Sequence, residues 1–386
     1  VAPGPIPKVA VTEVERSNQF AARLLKEVAR GSSTNTTLSP TSVRLAMSLV
    51  AQGANGTTKS ELATALELDA KDAAGEAARE LADWKKRGTE GPTVRIANRV
   101  FAEKTSPFER AFVEVATKQF ASGVDALDFA NNPEPSRTAM NAWVAKETAG
   151  KIPTLFPQGS IKPETRYVVA NAVYFLGTWT TPFDKSQTTP KPFFVAGGET
   201  SKPAPMMRKT AHFGFLEEEN ASLALLPYQG DTMAMVVVLP KQRAGLASVL
   251  GALDAATLTR WHEGLSSSSR ELALELPKFE LTAGGSIKDK LSALGVKQAF
   301  TEGADFSRMG SGRFAISDVF HKTFIRVDEK GTEAAAATGV VMAPTESLPP
   351  APIPFVVDHP FAYYLVDKTN GRVLFIGVVN DPTAAS

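Results

Sequence analysis

The chain has 386 residues, with 42 Lys and Arg against 41 Asp and Glu, a net charge of +1 and no cysteine. The missing cysteine removes disulfide scaffolds, thiolate nucleophiles, Fe–S clusters and cysteine zinc sites, and the balanced charge argues against a broad nucleic-acid or anionic-membrane footprint. Hydrophobic residues make up 43% of the chain, enough for a large core, and no apolar run approaches the roughly 20 residues of a membrane span.

The chain opens Val1-Ala2-Pro3-Gly4-Pro5-Ile6-Pro7. Residues 1–10 are expected to form a flexible tail left by signal removal or trimming, and the protein to be secreted or periplasmic. Val14, Phe20, Leu24, Leu25 and Val28 recur at helical spacing and predict a helix over 11–30. Ser39-Pro40 opens a second helix, with Pro at its tolerated first position and Val43, Ala46, Met47 and Val50 on its apolar face. Further helices are predicted at 57–66, 71–86, 108–120 and 133–148, and a strand at 93–102, where Val94, Ile96 and Val100 alternate around Asn98. From 166 strands dominate. The run 167–176 is almost continuously apolar, as a strand buried on both faces should be. Strands at 222–226, 232–239, 271–279, 315–327, 361–367 and 372–379 follow. Helices early and strands late predict an α+β fold.

Enzyme motifs are sparse. There is no Gly-x-Ser-x-Gly, no Ser-x-x-Lys and no Gly-x-x-x-x-Gly-Lys. The histidines His212, His262, His321 and His359 share no metal-ligand spacing on a helix. A Ser/His/Asp triad would assemble only in the fold and stays open. Ala283-Gly284-Gly285-Ser286 has the glycines of an anion-binding nest, but fits a strand-to-helix turn. Lys85-Lys86-Arg87 ends a helix, where cations complement the dipole or receive a polyanion.

One segment, 331–354, is Ala-rich, then Pro-rich, without core periodicity, and lies between two strong strands. A loop this long in a compact domain is usually functional. Its four alanines favour helix by propensity. As a strand, however, its even positions from Thr332 to Met342 carry no charge, and Glu333 falls on the opposite face. The segment can therefore slide into a sheet without burying a charge on that face. From Pro349 the prolines end any central-strand pattern. The plain alternative is a flexible Ala/Pro linker.

Gly331-Thr332-Glu333-Ala334-Ala335-Ala336-Ala337-Thr338 resembles the hinge signature of inhibitory serpins. Asn171-Ala172-Val173-Tyr174-Phe175-Leu176-Gly177-Thr178-Trp179 resembles the family's central-sheet strand, and Asn141-Ala142-Trp143-Val144 the helix lying across it. Leu38-Ser39-Pro40-Thr41-Ser42, Leu276-Pro277-Lys278-Phe279-Glu280, His321-Lys322 and Asp358-His359-Pro360-Phe361 also match, and the resemblance runs from about 12 to 382. It implies one domain over 1–386, with three β-sheets, about nine helices and a hinge and exposed reactive-centre loop at 329–354. A serine endopeptidase attacks the loop and forms an acyl-enzyme. The cleaved loop then inserts into the large sheet and traps the protease covalently. The chain itself would need no catalytic group, cofactor or metal, and is expected to be a monomer.

Carried over by the same resemblance, Ser39, Ser42, Asn171 and His321 lie beneath the strands that must part. Trp179, Lys278 and Glu329 mark where insertion begins, with Lys278 and Glu329 as an ion pair. Fourteen residues on from Gly331, the family's usual count, the reactive bond is Thr345–Glu346; the rival is Glu346–Ser347. No Lys or Arg lies between Gly331 and Pro354, so elastase-like or subtilisin-like targets are expected. Two departures stand out: Gly339 weakens the insertable strand, and the stretch before Pro360 is longer than usual. The alternative is a non-inhibitory carrier or chaperone, whose hinge is typically bulky, charged or proline-bearing. The alanine-rich composition associates with GC-rich prokaryotic genomes.

Overall fold

The computed structural model describes residues 12–69, 72–87, 92–331 and 351–384. The expected tail, the hinge residues Thr332, Glu333, Ala334, Ala335, Ala336, Ala337 and Thr338, and the reactive bonds at Thr345, Glu346 and Ser347 lie outside the described residues.

In chain order the elements are α1 (Glu13–Ala29), β1 (Thr36–Leu38), α2 (Pro40–Gln52), α3 (Gly56–Ala65), α4 (Ala73–Arg87), β2 (Thr93–Glu103), α5 (Arg110–Gln119), β3 (Gly123–Leu127), α6 (Pro133–Glu147), β4 (Tyr167–Leu176), β5 (Thr189–Phe194), β6 (Ser201–Glu217), β7 (Ala221–Pro227), β8 (Met233–Pro240), α7 (Leu246–Ala252), α8 (Ala255–Ser267), β9 (Ser269–Pro277), β10 (Phe279–Ser286), α9 (Lys288–Ala293), β11 (Ile316–Val327), β12 (Ile353–Val356), β13 (Phe361–Asp367) and β14 (Val373–Val379). The class is α+β, with nine α-helices among the described residues. None is long and apolar enough to cross a membrane.

Helix starts follow their caps. The Thr12 hydroxyl accepts from the Glu15 amide while the Glu15 carboxylate receives the Thr12 amide, a reciprocal cap on α1. Ser39 caps α2 ahead of Pro40, whose missing N–H costs nothing there.

The strands form a five-stranded sheet, β10-β11-β4-β2-β3, and a nine-stranded sheet, β1-β14-β13-β8-β7-β6-β9-β12 with β5 also on β6. Among the described residues hydrogen bonding joins the strands into two networks, the larger of which merges two of the three sheets that the resemblance implied. The cause is β6, 17 residues long: residues 206–214 pair with β9 and 214–217 with β7, welding two sheets into one path.

Other expectations shift. Residues 283–286 finish strand β10 rather than turning into a helix, because Gly284 must come bare against β11: a Cβ there would lie 2.1 Å from the His321 carbonyl oxygen. Pro354 lies in a strand after all, but at the edge of its sheet, where a missing donor is tolerated.

Alternation on β4 sets the layers. Val168, Ala170, Ala172 and Tyr174 pack with Met140 and Val144 of α6. Tyr167 and Val169 join the helical core, and Val173 and Phe175 the core shared with the second sheet. The strand is buried on both faces, as its apolar run requires.

Candidate sheet-opening site

β4 and β11 are direct hydrogen-bonded neighbours, parallel, with His321 beside Asn171 in the register. No strand lies between them.

Beneath this seam sits the start of α2. The Ser39 hydroxyl accepts from the Ser42 amide at 3.3 Å and donates to the Leu374 carbonyl at 2.7 Å. The Ser39 amide donates to His321 Nε2 at 3.1 Å. Because Nε2 accepts, the ring proton sits on Nδ1 and is donated to Asn171 Oδ1. Asn171 Nδ2 in turn donates to the Ser42 hydroxyl at 2.6 Å and to Asn98 Oδ1. Ser39, Ser42, Asn171 and His321 are all buried, and burial pushes the His321 pKa down to about 3, against a smaller opposing effect of Asn171. The ring is neutral. His321 is tied to α2 on one side and Asn171 to α2 and β2 on the other. Within this cluster, the His321–Asn171 bond is the side-chain link that crosses from β11 to β4.

A second cluster stands at the far end of the same seam. Lys278 Nζ lies 3.0 and 2.9 Å from the two Glu329 carboxylate oxygens, so the expected ion pair is formed. The Thr188 hydroxyl donates to the same carboxylate at 2.9 Å. Burial alone would raise the Glu329 pKa; the Lys278 ammonium and the Thr188 hydroxyl hold it below the ordinary value. The Trp179 indole N–H donates to the Asp328 carbonyl at 3.0 Å, its amide to the Lys330 carbonyl at 3.0 Å, and its ring stacks on Tyr228 at 4.4 Å. Gly331 bridges Thr178 just past the end of β4. It has φ +116°, and a Cβ would lie 2.3 Å from the Gly177 carbonyl oxygen, so glycine is required. The chain thus leaves β11 and turns back against the end of β4, at the mouth of the seam.

The six sheet-opening residues singled out from the sequence, and the hinge residue Glu329, fall into these two clusters. Asn98 and Thr188 were missed. Asn98 had left a signal, as the polar position in the alternation of β2; Thr188 had left none. Among the described residues no triad forms around the buried histidines: His359 pairs with Asp358, but its Nε2 faces the Pro240 carbonyl, and His321 faces Asn171 and Ser39.

Residues 15–382 match the family model described as serpin (serine protease inhibitor). Serpin B6 of Pongo abelii is 35% identical over 377 residues, covering 95% of this chain and 99% of that protein. Human serpin B9 is 36% identical over 372 residues, covering 95% and 98%. Among solved structures, Arabidopsis AtSerpin1 in its native stressed conformation superposes with a TM-score of 0.86 at 27% identity, covering 96% of this chain and 98% of that one. On the match over residues 15–382 and on relatives aligned along nearly their whole length, the chain belongs to the serpin family.

Proposed function

We propose that the chain is a single-domain, irreversible suicide-substrate inhibitor of serine endopeptidases, trapping the acyl-enzyme by inserting its cleaved loop between β4 and β11. The observation that carries this reading is the closed β4–β11 seam with Gly331 anchored at its mouth. A strand continuing from Gly331 enters there first. The hinge sequence that follows, Thr332 and four alanines after Glu333, is small enough to enter.

The magnitudes support it. Fourteen inserted residues at ~3.3 Å each span ~46 Å, close to the ~54 Å diameter of a globule this size. At ~0.5–1.5 kcal/mol per new hydrogen bond the ladder supplies ~7–20 kcal/mol. Losing one oxyanion-hole donor costs a protease only ~3–4 kcal/mol, so insertion can distort its site. The intact protein is then a kinetically trapped state.

The reactive bond is Thr345–Glu346, and a small β-branched residue before it suits elastase-like or subtilisin-like enzymes with shallow apolar pockets. Incubation with such proteases should give a complex that survives denaturing electrophoresis. N-terminal sequencing of the released peptide should begin at Glu346. A start at Ser347 moves the bond by one residue. Clean cleavage without any stable complex would leave a carrier or chaperone instead.

A further inference from the structure

The glycine pair of β10 opens a second feature on the His321 side of the sheet. A cavity of about 240 Å³ lies between α1, the loop before β1, β1 itself, the end of β10 and α9. Leu24, Val28 and Leu38 make its apolar side. Gly284 and Gly285 line it without side chains, and a Cβ on Gly285 would meet nothing within 4 Å. The ring-bearing residue His321 stands on its wall.

The charge on the lining is one-sided. Lys290 lines the cavity, and no aspartate or glutamate does. Among the described residues Lys290 has no carboxylate partner, whereas the neighbouring hydroxyls of Ser32 and Thr34 satisfy each other at 2.9 Å. A lysine on the lining of a cavity with an apolar side matches an anionic head on an apolar tail. At roughly 30 Å³ per water-sized group, the volume holds about eight such groups, the size of a carboxylate of six to eight carbons.

We propose that this cavity is a binding site for a small amphipathic anion, a medium-chain carboxylate, whose head pairs with Lys290 and whose tail packs on Leu24, Val28 and Leu38 against His321. His321 makes the side-chain link across the β4–β11 seam. A ligand packed on the residue in its closed-sheet position favours the closed state, because parting the strands removes the Asn171 partner that holds the ring. Bound carboxylate therefore slows loop insertion. That consequence rests on the inhibitory reading; the binding does not.

The test uses the full chain and octanoate as probe, with octan-1-ol as the neutral control. Titration calorimetry should show saturable octanoate binding, weaker by about tenfold for octan-1-ol and for Lys290→Gln, as expected when a charged partner is lost. Val28→Trp, which fills the cavity, should abolish it. Long-range ¹⁵N–¹H imidazole spectra should show the His321 ring shifting on titration while His212, His262 and His359 hold still. Equal affinity for octan-1-ol, full binding by Lys290→Gln, no binding at millimolar octanoate or an unmoved His321 ring would each overturn the assignment. Octanoate binding in a protein that traps no protease would keep the cavity and remove the inhibitory reading, so the two fail separately.

Discussion

A histidine that stays neutral down to about pH 3 while folded, but titrates near 6.5 when unfolded, makes the closed sheet acid-sensitive. Above pH 6.5 His321 is neutral in both states and contributes no pH dependence. Between pH 6.5 and 3 the unfolded chain binds the extra proton, so stability falls with pH by about 1.4 kcal/mol per unit. Urea midpoints of the wild type and His321→Gln from pH 8 to 4 should diverge only below 6.5, with the wild type losing more; parallel curves would show that the ring titrates normally. Asn171→Ala tests the other half of the link. It leaves the Nδ1 proton of His321 and the Asn98 carboxamide oxygen without their partner, costing about 1–3 kcal/mol. The intact protein should melt earlier and insert its own loop spontaneously faster, and an unaltered conversion rate would remove Asn171 from the gate. These residues were legible because each sits in a long motif. What a motif does not show is direction of bonding: that Ser39 offers His321 its amide and keeps its hydroxyl for Leu374 follows only from how α2 is capped.

At the scale of elements, the Thr178–Gly331 bridge fixes a register for the strand that would enter. Continued antiparallel to β4, it sets Thr332 opposite Gly177, Ala334 opposite Phe175, Ala336 opposite Val173 and Thr338 opposite Asn171. These face the cores that hold Phe175 and Val173, and the uncharged parity seen in the sequence is the parity this face demands. Glu333 falls opposite Leu176, where β4 is no longer fully buried. Gly339 falls opposite Ala170, on the face that packs with Met140 and Val144 of α6, where it adds no side chain and weakens the strand. Thr332→Arg should be cleaved at the normal rate yet fail to trap its protease, since an unpaired charge would have to enter the core. Undiminished stoichiometric inhibition by that variant would show the register to be wrong. Two of the strands that the sequence did not reveal, β6 and β10, have a common cause. In β6, Pro203, Pro205, Arg208 and Lys209 interrupt the alternation, and in β10 two glycines mimic a turn; both strands are held by partners far along the chain rather than by local preference.

For the whole molecule, the α+β class and the order of most elements followed from periodicity, while the welding of two sheets through β6 did not, because sheet membership depends on which distant strands a long strand meets along its length. The same dependence makes the native state improvable. β4 and β11 pair in parallel, the weaker arrangement per residue, and an inserted strand antiparallel to both replaces one parallel ladder by two antiparallel ones. The even-numbered positions from Thr332 to Met342 that it would turn inward carry no charge. Cleavage within 343–348 should free the segment to enter, since it would cut the tether to β12 and leave the anchor at Gly331. With ~7–20 kcal/mol gained from the ladder alone, the cleaved protein should melt roughly 10–30 °C above the intact one. Limited proteolysis followed by calorimetry decides the matter. The Asn171→Ala variant, cleaved in the same way, should gain about as much as the wild type, because the new ladder forms on main-chain groups that the substitution leaves intact. A midpoint unchanged by cleavage would mean that β4 and β11 do not part, and the inhibitory mechanism would fall with it.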